Sequence, residues 1–154
     1  MEEYQKERYT VAAMTLSKKL IRRNFHPIIC ENLEEARAQA LELIDPKKSV
    51  GFGGSITVEQ SGIIEALYSR NQKMIDREKT TTLEERQQVM KQALTADYFL
   101  TSINGITEEG ELVNVDSVGN RVAAITYGPN KVPAFVSIKK NVRSEERRVG
   151  KESR

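Results

Sequence analysis

Apolar and polar positions alternate along this chain with two different periods. From residue 2 to about 23, Tyr4, Val11, Met14, Leu20 and Ile21 recur close to a helical spacing among Lys, Arg, Gln and Glu, which predicts an amphipathic helix. The short apolar run "FHPIIC" at 25–30 predicts a strand. Asn32 and Glu35 then form a capping-box pattern ahead of Leu33, Ala36, Ala40 and Ile44, predicting a helix that Asp45-Pro46 stops. "SVGFGGS" at 49–55 reads as a second strand running into a glycine turn, and "ITVEQSGIIEALYSR" after it reads as helix with Gly62 as a weak point or joint. "QKMID" predicts a third strand. Thr82 and Glu85 repeat the capping box at the head of "TTLEERQQVMKQALTA", and "DYFLTS" is apolar enough for a buried strand. Asn104-Gly105 and "EEGE" at 108–111 are turn signals, so "ITEEGELVNV" predicts a small hairpin. "VPAFVSI" at 132–138 predicts a final strand.

Strands alternating with helices specify an α/β fold, a mainly parallel sheet flanked by helices on both faces. Ligands of such sheets bind beyond the carboxyl ends of the strands. The turns "GFGGS" and "INGITEEGE" both lie at such ends.

Length and charge narrow the functions. With 154 residues, 38% of them apolar and 30% charged, the chain fits one domain with a single core. No apolar run approaches the roughly 18 residues of a membrane span, and the charged start "MEEYQKERYT" does not read as a secretory signal, so the expected location is cytoplasmic with no membrane insertion. Of the 24 basic and 22 acidic residues, the last twelve, "RSEERRVGKESR", hold five and three, leaving 19 of each in the body. That balance offers no basic field for nucleic acid. Those twelve residues lack apolar periodicity and turn logic, and look foreign or cut. Cys30 is the only cysteine, which excludes an internal disulfide, a cysteine zinc knuckle and a self-contained iron–sulfur site; its apolar setting predicts a buried thiol. No metal site is expected, and His26 reads as a strand or turn residue.

Two stretches carry candidate chemistry. In "GFGGSIT" no Lys follows as in a Walker A loop, and Ile56 stands where the dinucleotide fingerprint has its third glycine, so nucleotide motifs fail. What remains is a backbone that a ligand can approach closely at Gly53 and Gly54, with Ser55 and Thr57 at a helix start, where anions are favoured; the alternative is that Ser55 merely caps the helix. In "VNVDSVGNRVAA" turn chemistry does not account for Asn114, Asp116, Asn120 and Arg121. Asp116 suits the cap of a helix beginning near Ser117. Arg121 suits bidentate recognition of carboxylate or phosphate, against a surface ion pair as the alternative.

These stretches, with "IDR" at 75–77, resemble the lactate-utilization (LUD) domain family over about residues 3–136. The most specific string runs through Thr101, Asn104, Ile106, Thr107, Glu108, Gly110, Leu112, Val113, Asn114, Asp116, Gly119, Asn120, Arg121, Val122, Ala123 and Ala124. Gly105 and Ser117 stand where members commonly have Ala and Gly. The resemblance implies a LutC-like single-domain member with the fold of ribose phosphate isomerases and coenzyme A transferases. By position it implies an anion loop of Gly53, Gly54, Ser55 and Thr57, and an opposite wall of Asn104, Asp116, Gly119, Asn120 and Arg121. Relatives continue beyond the "YGP" segment. The expected organisation is therefore a LUD domain over 1–142, incomplete at its C-terminus, followed by an artefactual or disordered tail over 143–154.

Three functions are consistent with this reading. The first is a component that binds an anionic small molecule in lactate utilization, alongside iron–sulfur partner subunits. The second is an independent isomerase or acyl transferase on a phosphorylated or carboxylated metabolite, with Asp116 as the acid/base candidate and Glu108 better explained as a solvated turn residue. The third is a non-catalytic assembly subunit. No cofactor is identified, and a homo-oligomer is left open.

Overall fold

The computed structural model describes residues 3–138 and the backbone of 141 and 142; the expected tail at 143–154 lies outside the described residues. In chain order the elements are α1 (Glu3–Arg22), α2 (Leu33–Leu43), β1 (Ser49–Phe52), α3 (Ile56–Ser61), α4 (Ile63–Ser69), β2 (Lys73–Ile75), a 3-10 turn (Arg77–Lys79), α5 (Leu83–Ala93), β3 (Tyr98–Ser102), β4 (Gly105–Thr107), β5 (Leu112–Val113), α6 (Asn120–Thr126), β6 (Ala134–Phe135) and β7 (Asn141–Val142). They group into two compact units, a larger one of residues 31–102 and 116–135, and a smaller one holding 3–30, 103–115 and the described residues beyond 135.

The larger unit is an α/β layer structure around a parallel sheet of order β2-β1-β3-β6. Strand alternation sorts its side chains. Val50, Tyr98 and Leu100 point to one face and pack with Ala40, Val58, Ile63 and Leu67 of α2, α3 and α4. Phe99 points to the other, with Ala93 of α5 and Ala124 of α6. Gly51 shares that second face, and a Cβ on it would lie 3.0 Å from the Ala93 Cβ, so α5 packs directly onto the β1 backbone. β3 is buried at every position, as its apolar run predicts.

The helix starts follow the capping signals. Asn32 Oδ1 accepts from Glu35 N at 2.8 Å and Thr82 Oγ1 from Glu85 N at 3.1 Å. The reciprocal carboxylates reach one residue further out than the simple box, to Glu31 N and Thr81 N. Gly62 adopts φ 78° and divides the expected single helix into α3 and α4. At the other end of α2, Arg70 donates to the Leu41 and Ile44 carbonyls, and the buried Gln72 donates to the Asp45 and Lys48 carbonyls at 2.9 and 2.6 Å. These bonds satisfy the chain where it reverses from helix into β1.

Three expectations change. "FHPIIC" is not a strand: residues 25–30 join no ladder, Phe25, Ile28 and Ile29 are exposed, and Pro27 contributes no amide donor. Cys30 is accordingly only half-buried. The last strand is short because Pro133 accepts from Thr101 N but cannot donate, so pairing breaks into a bridge at Lys131 and the two residues of β6.

In the smaller unit β4 and β5 form the expected antiparallel hairpin, and β7 adds to β4 in parallel. Gly110 turns the hairpin at φ 84°, where a Cβ would sit 3.5 Å from the Lys19 and Leu20 backbone of α1. Lys19 and Arg23 both reach Glu109 beside it. Among the described residues no helix is long and apolar enough to cross a membrane.

Candidate functional site

The connections leaving β1 and β3 diverge. β1 runs into α3 and α4 on one face of the sheet, whereas the chain after β3 returns through α6 on the other. Such a switch point opens a crevice outside the strand ends, and the glycine turn lies there. Ser55 closes it: its hydroxyl donates to Ser102 Oγ at 2.8 Å, joining the ends of β1 and β3, and accepts from Val58 N at 3.2 Å, capping α3. The capping alternative for Ser55 is therefore what the geometry displays. Thr57 sits half-buried on the first turn of α3.

Gly53 is buried beneath the α6 entry. A Cβ built on it would lie 3.5 Å from Phe99 Cζ, 3.9 Å from Asn120 Nδ2 and 4.0 Å from Arg121 Cβ. Next to it, the Arg77 guanidinium rests directly against Gly54. The turn thus has basic or amide-bearing side chains on both sides. Phe52, Ile75, Arg77, Phe99 and Asn120 are among the residues lining a small, partly open cavity of about 10 Å³ at this end of the sheet, room for a single water at most.

Arg77 was not among the candidates read from the sequence, although its signal was present in "IDR" directly after β2. Asp76 fixes its position. One carboxylate oxygen accepts from Glu78 N at 2.9 Å, capping the 3-10 turn, and the other accepts from the Tyr68 hydroxyl at 2.5 Å. Burial, the Asp76 hydrogen bond and the Asp76 charge push the Tyr68 phenol well above its ordinary value, so Tyr68 remains a donor. Lys79 lies 4.2 Å over its ring. Arg77 is 17% exposed and its Nε is 3.3 Å from the exposed carboxylate of Glu78.

The α6 entry differs from its prediction. The helix begins at Asn120, and its cap is Gly119 at φ 77°, a left-handed conformation that suits glycine, with no side-chain cap bond. Asp116 stands outside the helix and acts on it from there: Oδ2 accepts from Val122 N at 2.7 Å, and Oδ1 pairs with Arg121 Nε at 3.0 Å. Both side chains are 11% exposed. Asp116 thereby orients Arg121 and satisfies one of the amides at the start of α6.

Of the remaining candidates, Asn104 belongs to the smaller unit, where its Oδ1 accepts from Val115 N at 3.0 Å and holds the loop after β5. Glu108 is exposed in the hairpin turn. The described residues contain no group of three or more His, Cys, Asp or Glu that could hold a metal ion.

The description "LUD domain" applies to a family that matches residues 13–149, a stretch spanning both units, and the chain belongs to this LUD domain family. No curated protein and no solved structure matches the chain significantly.

Proposed function

We propose that this LUD-domain protein binds an anionic small metabolite at the β1–β3 switch point, as a component associated with lactate utilization. The observation that carries the reading is the convergence of Arg77, Asn120 and Arg121 on the Gly53-Gly54 backbone. Glycine lets an anion approach the main chain closely, and the Arg77 guanidinium, the Asn120 amide and the stem of Arg121 flank it. Family membership supplies the link to lactate utilization. Arg121 is already paired with Asp116, so the cation we assign to the ligand is Arg77, whose carboxylate neighbour among the described residues, Glu78, is exposed and exchanges readily with solvent. Ligand entry moves Arg77 off Gly54 and onto the anion. Redox chemistry, where lactate oxidation needs it, falls to iron–sulfur partner subunits. Asp116 serves as a positioning residue for Arg121.

A thermal-shift series against lactate, sugar phosphates, coenzyme A esters and nucleotides tests the site. The stabilisation should grow with concentration, reaching about 2.7 kcal/mol at a hundredfold excess over Kd. Arg77→Gln should remove the shift at unchanged baseline stability. Shifts that survive both Arg77→Gln and Gly53→Ala, or no shift with any anion, refute the site.

A further inference from the structure

α1 has two opposite apolar faces. Leu16 is buried and Ala12, Ala13 and Leu20 are half-buried on one side. About 180° round the helix, Tyr4, Val11, Met14 and Ile21 are 68%, 63%, 53% and 59% exposed. A helix that served only its own unit would need the first face alone.

The outer face has a pattern that fits another copy of itself. Tyr4, Val11 and Lys18 repeat every seven residues, and Glu7, Met14 and Ile21 follow each of them by three, the seam of a two-stranded coiled coil. Laid antiparallel about a twofold axis between Ala12 and Ala13, Tyr4 meets Ile21, Val11 meets Met14 and Glu7 meets Lys18, each twice. Every layer is apolar on apolar or acid on base. A parallel pair would place Glu7 against Glu7 and Lys18 against Lys18, so the one polar layer selects both orientation and register.

We infer that the outer face of α1 is a homodimer interface, an antiparallel helix pair related by twofold symmetry. The helix rises about 30 Å over its length, nearly three heptads of contact. On this outer seam the charge is divided as the pairing requires, with Glu7 in the first half and Lys18 in the second. The interface is isologous and closes on two copies.

Charge exchange tests it in the full chain. By sedimentation equilibrium at tens of micromolar the protein should be a dimer. Glu7→Lys and Lys18→Glu should each weaken association at least tenfold, because each puts two like charges in both polar layers. The double variant E7K/K18E, and an equimolar mixture of the two single variants, should associate again. Far-UV circular dichroism checks that the exposed substitutions leave the fold intact. A wild-type chain that stays monomeric overturns the proposal and leaves the face to a different occupant. A dimer that E7K and K18E leave intact, or a loss of association that neither the double variant nor the mixture restores, overturns it too.

Discussion

Gly51 and Gly53 lie two positions apart, on and just beyond β1, and adding one methyl group to each should give opposite results. At Gly51 the new Cβ would sit 3.0 Å from the Ala93 Cβ, 3.3 Å from the Ala93 Cα and 3.6 Å from the Ala96 Cβ. Carbon atoms attract best at about 3.5–4.0 Å, so α5 must move by roughly half an ångström, and part of what must move is backbone. Overpacking of this kind costs about 1–3 kcal/mol, and about 2–4 °C of melting temperature for each kcal/mol at this chain length. At Gly53 the nearest atom is Phe99 Cζ at 3.5 Å, an ordinary contact, and φ is not left-handed. Gly53→Ala should therefore be neutral, or stabilising by about 0.4–1 kcal/mol through the unfolded chain. Its methyl group fills the space towards Asn120 and Arg121, so anion affinity should fall at least tenfold. Urea melts read the first effect and ligand-induced thermal shifts the second. Equal destabilisation by the two variants, or unchanged anion binding in Gly53→Ala, refutes the assignment of Gly51 to packing and Gly53 to the ligand. Ala93→Gly should recover part of the Gly51→Ala loss if the clash is with that side chain.

Three further outcomes follow from the geometry. Asp116→Ala should cost about 1–3 kcal/mol by removing the acceptor of the Val122 amide and the carboxylate beside Arg121 Nε, and the double variant with Arg121→Ala should cost less than the sum of the singles in urea melts. Gln72→Leu should cost about 1–3 kcal/mol, because the Asp45 and Lys48 carbonyls lose their donor, and the α2–β1 junction should show faster amide exchange. Hydrogen bonds from Ser49 N and Oγ, then the charge of Lys48 and the amide of Asn130, hold the Asp97 carboxyl below its ordinary value. The stability it contributes is present above the unfolded value of about 3.9 and is lost as pH falls through the lower folded value, so Asp97→Asn should flatten that part of the acid limb of the urea midpoint.

Much of the fold was legible because it rests on local signals. Asn32 and Thr82 announce their helices through a side chain reaching an amide three residues on, a contact the sequence specifies without reference to tertiary structure. Gly62 and Gly110 mark breaks through backbone freedom alone. "FHPIIC" failed for the complementary reason. Apolar content does not create a ladder partner, and a strand depends on what lies beside it more than on its own composition. Gly51 was likewise silent, since only the packed structure shows that α5 presses on that strand and not on its neighbours.

The candidate site was legible in its parts and not in its wiring. The sequence identified Asp116 and Arg121 as unexplained polar residues five positions apart, but spacing could not say that the carboxylate would spend one oxygen on the Val122 amide and the other on the guanidinium. That wiring changes what each residue is for. A carboxylate with one oxygen on an amide and the other on a guanidinium is well suited to fixing that guanidinium in place. Arg77 shows the converse. Its value comes from Gly54 having no side chain, a contact between the strand ends of β1 and β2 that neither "GFGGS" nor "IDR" expresses alone. Arg121 is held by Asp116, and Arg77 pairs, among the described residues, with an exposed glutamate. The pair therefore divides recognition between a rigid wall and a movable clamp, and ligand selectivity should respond to changes at Arg77 before it responds to changes in the α6 entry.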